Sequence, residues 1–353
     1  MKNILLIGYC HLADGFLYGS NSLKKNGYII HFFPYLNYVL DNIENKEEIF
    51  INYIKENNIN ICLWWNNSIQ YESFIKMYNK ELLNIYFNWD PFLFEYKKYD
   101  SLVWEERLHN KELIYSKMDT IFSCFEKEVS YFNNINNINN INNINNKNNI
   151  PIIYNPPGFD KNISSYIYDE KYICDISIVC TNLYDNINEF PDETTNITRY
   201  KIVDLLYDNR DKFKFHIYGS ENLKNKYPEC YKEFISYDNC KYVFSNSKIN
   251  LSIHPLIKEL NSENSSQEYF SERLPQILGC SGLLMTNSNL THILDKENDY
   301  VYIDENTNII EKIEHIIGNK EHYDTLRKNG NEKALKQYQW DNWVDIIISN
   351  SNI

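Results

Sequence analysis

Glu268-Tyr269-Phe270-Ser271-Glu272-Arg273-Leu274-Pro275-Gln276-Ile277-Leu278-Gly279-Cys280-Ser281-Gly282-Leu283-Leu284-Met285-Thr286 is the stretch on which the reading of the fold turns. A polar loop runs into Glu272–Cys280, a short helical pattern. Ser281-Gly282 supplies its stop, and Gly282–Thr286 is the short apolar run of a buried strand. A helix start presents unpaired N–H groups, which suit a phosphate. Arg273 adds a fixed cation with bidentate geometry, and Gln276, one turn on, can hydrogen-bond the vicinal hydroxyls of a ribose. The plainer reading of the same residues is an ordinary helix-to-strand turn.

Working outward, strands alternate with helices in both directions. Before the stretch come strand patterns at Ile173–Cys180, Phe213–Tyr218 and Ile249–His254, with a helix at Arg199–Tyr207. After it come helices at Thr307–Ile317, His322–Tyr338 and Trp340–Ile348. The first half repeats the scheme with strands at Asn3–Gly8, Tyr28–Phe33, Ile59–Trp65, Ile85–Phe87 and Thr120–Cys124. Strands separated by helices of this length imply right-handed crossovers and a parallel sheet. The expected fold is therefore α/β, with two doubly wound Rossmann-like domains facing across a cleft.

The expected boundaries are 1–132 for the first domain, 133–150 for an insertion, 151–339 for the second domain, and 340–353 for a helix returning to the first. The 133–149 tract repeats Asn-Asn-Ile with a period of three, which fits neither a helix face nor a strand face. It reads as a solvated surface insertion.

With 353 residues, 43% of them hydrophobic, the chain can build two cores. A net charge of −13 without a sustained Lys/Arg run argues against a general nucleic-acid binder. No stretch is long and apolar enough to span a bilayer, and Met1–Gly8 reads as a first strand, not a signal peptide. The eight cysteines are scattered with no CxxC pair, which implies reduced core thiols and a cytoplasmic location.

Motifs in the second half resemble those of GT-B glycosyltransferases, particularly the group 1 and CgeB-like (spore-maturation-type) families. Arg273-Leu274-Pro275-Gln276 and Gly279-Cys280-Ser281-Gly282 resemble their Arg-x-x-Glu and Cys-Gly-Gly pattern, with Gln276 where the family has Glu. Glu268 and Gln276 keep the spacing of the two glutamates carried by many retaining members. Asn155-Pro156-Pro157-Gly158-Phe159-Asp160 is similar to the hinge between the domains of these enzymes. Ser245–Ser252 and Asn329-Gly330 with Tyr338 and Trp340 resemble further CgeB-like segments.

The resemblance implies transfer of a sugar from a nucleoside diphosphate sugar, a UDP-sugar by preference, to a glycan or other hydroxyl acceptor, with no cofactor and no metal. The donor side then falls to Arg199, Lys201, Gly219, Ser271, Glu272, Arg273 and Gln276. The catalytic candidates are Glu268 in the second half and His11 and Asp14 in the loop after the first strand. A histidine with an ordinary pKa of about 6.5 suits a general base, whereas Asp14 equally suits a helix cap. Trp65, Asn66, Trp89 and Asp90 end two further strands and suit an acceptor, by stacking and hydroxyl contacts; Trp64 reads as core.

The histidines are dispersed, with no HxxxH pair, and no Asp-x-Asp is present to hold a divalent ion on a diphosphate. No Gly-x-x-x-x-Gly-Lys, Gly-x-Ser-x-Gly or Gly-x-Gly-x-x-Gly occurs either. Two rival readings stay open: a non-catalytic GT-B protein that holds a nucleotide sugar or glycan, motivated by Gln276, and a nucleotide-sugar epimerase.

Overall fold

The computed structural model describes residues 2–8, 14–65, 71–88, 101–141, 150–180, 199–254 and 270–351. The chain divides into two compact units, Met1–Pro157 with Trp340–Ile353, and Gly158–Gln339.

The first unit holds a sheet of β1 (Asn3–Ile7), β2 (Ile29–Phe33), β3 (Ile61–Trp65), β4 (Leu83–Asn88), β5 (Thr120–Ser123) and β6 (Ile152–Tyr154). The spatial order is β2-β1-β3-β4-β5-β6, every pair parallel. Such strands are covered on both faces, which is why β5 is buried throughout and β4 from Asn84 onward. Trp64 lies fully in the core, its Nε1–H donating to Asn84 Oδ1 at 3.0 Å.

The helix Trp340–Asn350 belongs to this unit. Trp340, Trp343, Val344 and Ile347 recur at one-face spacing and pack with Ile4, Leu6, Leu63 and Phe87. Asn155 Nδ2 donates to the Trp343 carbonyl at 3.2 Å, and Thr120 Oγ1 to the Asn350 carbonyl at 3.3 Å.

The start of the Asn-Asn-Ile tract, whose period of three fits no helix face, is nevertheless helical: a helix runs Glu126–Ile141. Val129 and Phe132 anchor its first half in the core, and two glutamates stand in its first turn. Once that part is nucleated, adding residues is cheap, and weak Asn propensity does not stop it. Other elements also escape the sequence reading, among them the helices Tyr35–Leu40, Tyr71–Met77 and Ser101–Tyr115 and the three-residue strand β6.

The second unit holds β7 (Cys174–Cys180), β8 (Phe215–Gly219), β9 (Ser247–Ser252), β10 (Leu284–Thr286) and β11 (Val301–Tyr302). Their order is β11-β10-β9-β7-β8, again all parallel. From β7 the chain builds β8 on one side and then crosses to β9 on the other. The strand order therefore reverses between β7 and β9, and a ligand of such a sheet sits outside the carboxyl ends at that point. The corresponding reversal in the first unit lies between β1 and β3.

Successive residues of β7 face opposite ways, as a strand requires. Ile176 and Ile178 enter one core with Val203, Leu206 and Ile313, while Val179 packs against the other, around Leu274, Ile277 and Tyr300. Among the described residues no helix is long and apolar enough to cross a membrane, and the described cysteines are buried and not joined in disulfides.

Candidate functional site

Two segments bring charge to the point where the second sheet reverses. The helix Arg199–Asp208 buries Ile202, Val203 and Leu206, which lie three, four and seven residues after Arg199 and hence on its face. Arg199 is thereby carried to the sheet, where its Nε–H donates to the carbonyl of Ile253, just past β9, at 3.0 Å. Lys201 is two positions on, off the face that Arg199 shares with Val203 and Leu206, and is half-buried.

Arg273 arrives from the other side as the first residue of the helix Arg273–Gly279. Pro275 is tolerated in that first turn because its missing N–H would have been unpaired anyway. Glu272 precedes the helix with its backbone already right-handed (φ −53°, ψ −29°), so its side chain does not cap it.

The helix ends as a Schellman turn. Gly282 N–H donates to Ile277 O at 2.8 Å and Ser281 N–H to Leu278 O at 3.0 Å, with Ser281 left-handed at φ 55°. Asn331 Nδ2 takes up the Leu278 and Gly279 carbonyls at 2.8 and 3.0 Å. A Cβ on Gly279 would come within 2.3 Å of the Phe159 ring, so the small residue lets this helix seat closely.

Both guanidinium groups act on the same two buried groups, Cys180 at the end of β7 and His254 just beyond β9. Burial pushes the Cys180 thiol up, against a lowering by the two arginines. His254 is 2% exposed, and burial holds its pKa well below the ordinary histidine value, with Arg199 and Arg273 lowering it further. Its ring is neutral at physiological pH. The backbone of His254 is clamped by one side chain: Asn287 Oδ1 accepts its N–H and Asn287 Nδ2 donates to its carbonyl, each at 2.8 Å. Its Nε2 lies 3.2 Å from Ser252 Oγ and 3.5 Å from Ser271 Oγ. Among the described residues, no hydrogen bond or ion pair ties down the Arg273 guanidinium.

The remaining candidates divide as follows. Gln276 shares a helix face with Arg273 at the i, i+3 spacing, is 4% exposed, and its Nε2 finds no hydrogen-bond partner among the described residues. Gly219 ends β8, and a Cβ there would lie 2.0 Å from the Cys180 carbonyl oxygen. Strand packing alone therefore demands that glycine. Ser271 stands beside His254, as above. Asp14 begins the helix Asp14–Lys25 and Trp65 ends β3. Their side chains, together with His11, Asn66, Trp89, Asp90 and Glu268, lie outside the described residues.

Sequence reading missed His254 and Asn287. Each stands within two residues of the carboxyl end of a strand, the one signal that marks them. Among the described residues, no group of three His, Cys, Asp or Glu side chains gathers as a metal site would need.

Residues 199–349 match the family described as Glycosyl transferase-like. No curated protein matches the chain. Solved structures share the fold over nearly its whole length. Sucrose-phosphate synthase from Thermosynechococcus elongatus matches with a TM-score of 0.68 and 12% identity, over 99% of this chain and 98% of that one. HepE of Anabaena, in complex with UDP, matches with a TM-score of 0.63 and 8% identity over 100% of both chains. A glycosyltransferase from Rickettsia africae ESF-5 matches with a TM-score of 0.60 and 10% identity, over 99% and 98%. Residues 199–349 thus carry a match to the glycosyl transferase-like family, and the two parallel α/β units have the fold seen in GT-B glycosyltransferases.

Proposed function

We propose that the protein transfers a sugar from a nucleoside diphosphate sugar, UDP-linked by preference, to a hydroxyl acceptor. One observation carries the reading. Arg199 and Arg273, far apart in sequence, bring their charge to the carboxyl ends of β7 and β9, where the sheet reverses. Breaking the sugar–phosphate bond leaves its electron pair on the diphosphate, and that growing charge needs fixed positive groups. Preorganised donors of this kind each contribute about 100-fold or more to the rate. On this reading the arginine charge does the work that a divalent ion does in other transferases, and no metal is included.

The likeness of HepE, seen with UDP and with UDP-glucose, supports the choice of nucleotide. On this reading Gln276 contacts the ribose, its amide able both to donate and to accept. The acceptor and its base are read from the strand ends of the first unit, at His11, Asp14, Trp65, Asn66, Trp89 and Asp90, with Glu268 as the catalytic candidate of the donor side.

The test is binding and turnover with UDP-, GDP- and dTDP-sugars, with and without candidate acceptors. Arg273→Ala that leaves both unchanged removes the donor site from this place. Gln276 in place of glutamate favours a second reading, a protein that binds the nucleotide sugar without turning it over. Calorimetric binding with no product, unaffected by His11→Ala and Asp14→Ala, would select it. Product formed without any acceptor would point instead to an epimerase.

A further inference from the structure

Resting on the diphosphate reading of this site, we infer that His254 is a positioning residue: its Nε2–H holds the oxygens of Ser271 and Ser252, leaving the Ser271 O–H to donate to a phosphate oxygen beside Arg199 and Arg273. The argument begins with the ring's surroundings. A 2% exposed imidazole that feels the charge of two guanidinium groups is not a third cation, because desolvation and repulsion both oppose the proton. It therefore serves as a neutral hydrogen-bonding group.

Its position is over-determined. The double bond from Asn287, itself 2% exposed, fixes the backbone, so the ring cannot follow a moving ligand. Ser271 is different: it is half-buried, next to the helix that carries Arg273, with its Oγ 3.5 Å from the ring nitrogen. A bare Nε2 would draw the serine proton to itself and turn lone pairs toward an anion, which repels them. The Nε2–H tautomer does the reverse. It occupies a serine lone pair and frees the O–H, so the hydroxyl joins the arginines as a donor. Cys180, the other buried group that feels both arginines, is pushed up by burial and adds no charge.

The pair His254→Gln and His254→Asn tests this. Both are neutral amides, but glutamine places its amide nitrogen near the position of the imidazole Nε2, whereas asparagine stops short of Ser271. Affinity for UDP and for inorganic pyrophosphate is measured by calorimetry on the full chain, together with thermal midpoints. His254→Asn and Ser271→Ala should each weaken both ligands by about tenfold. His254→Gln should stay within about threefold of the parent. The double variant His254→Asn/Ser271→Ala should be no weaker than either single one, because histidine acts through the serine.

A His254→Asn protein that binds as the parent does, or a double variant in which the two losses multiply, overturns the inference. So does a glutamine variant as weak as the asparagine one, since that marks a merely structural ring. A parent protein that binds neither ligand overturns it as well. If pyrophosphate binds with the coupling described while UDP and UDP-glucose do not, the inference stands and the nucleotide-sugar reading falls.

Discussion

The two units build the same parallel sheet with the same reversal of strand order, yet they furnish the carboxyl ends of their strands in opposite ways. In the second unit that rim carries Arg199 and Arg273 around a neutral His254. In the first, the ends of β4 and β5 close on a carboxylate. Glu128, fully buried, accepts from Asn88 Nδ2 at 2.5 Å and from Tyr115 Oη at 3.2 Å through Oε1, and from Ser123 Oγ at 3.3 Å through Oε2. Burial first, and the Glu128 charge second, push the Tyr115 hydroxyl well above its ordinary pKa, so it stays a donor. Nearby, Lys111 Nζ is buried over the Tyr86 and Tyr115 rings and donates to Tyr86 Oη at 2.7 Å. Sheet topology states where a ligand can sit; the side chains at the strand ends decide which rim offers charge to an anion and which spends it internally.

The sharpest way to break this contrast is Glu128→Ala. It strips three buried donors of their acceptor, each worth about 1–3 kcal/mol when left unpaired. Unfolding stability of the first unit should fall by about 3 kcal/mol, read by denaturant titration, with UDP binding per folded molecule unchanged. Lost turnover at unchanged stability would instead give the Glu128 cluster itself a part in the chemistry.

Next in size is the pair Arg273→Ala and Lys201→Ala. Losing a donor to the departing diphosphate should lower kcat/KM about 100-fold, equivalent to about 2.7 kcal/mol. Lys201→Ala should change it less than threefold, since Lys201 lies off the face that Arg199 uses. Equal losses would show that general positive charge, not the geometry of one helix face, serves the second rim.

That pair also shows what could be read from sequence alone. The strands were legible because parallel sheets bury short apolar runs, and the Arg273 segment because helix and strand meet there within a few residues. Arg199 and Lys201 could not be ranked until a helix phase was set by Ile202, Val203 and Leu206. At Gly219 the structure adds a second demand for glycine, the Cys180 carbonyl 2.0 Å from where a Cβ would lie, and backbone contacts between strands leave no sequence signature. His254 was hidden for the opposite reason: a single histidine after a strand is unremarkable until Asn287, Ser252, Ser271 and two arginines are brought to it by separate segments. The Asn-Asn-Ile tract hides its helical start because propensity is local, whereas the helix is anchored by Val129 and Phe132 outside the repeat.

The contrast extends to acid. His216 and His254 are both buried in the second unit; burial lowers His216 to about 4 and His254 well below its ordinary value. In the unfolded chain both take up a proton near pH 6.5, while the folded chain resists it. Their contribution is therefore complete above about pH 6.5 and is lost as pH falls toward 4, at up to about 1.4 kcal/mol per pH unit for each ring. Denaturant midpoints followed from pH 7 to 4 should fall with that slope, and His216→Gln should flatten it. A midpoint that stays level across this range would refute the neutral assignment.

The smallest effect concerns how the units end their helices. In the first unit, three helices close with a left-handed residue suited to it: Gly27 (φ 86°), Asn42 (φ 53°) and Asn58 (φ 50°). In the second, the helix bearing Arg273 closes on Ser281 at φ 55°, where a Cβ crowds the following carbonyl at a cost of about 1 kcal/mol. Ser281→Gly removes that crowding but loosens the unfolded chain, which offsets part of the gain. The net expectation is a stabilisation of about 0.5 kcal/mol, with the Arg327 Nε contact to the residue 281 carbonyl, 2.9 Å, preserved. Gly282→Ala is the counterpart: its Cβ would meet Asn250 Nδ2 at 2.7 Å and the Phe244 carbonyl oxygen at 2.8 Å, so it should destabilise by about 1–3 kcal/mol. Opposite signs for these adjacent substitutions, read as thermal midpoints, would separate backbone strain at 281 from close packing at 282. A loss at both positions would mean that Ser281 is held left-handed by something its own side chain supplies.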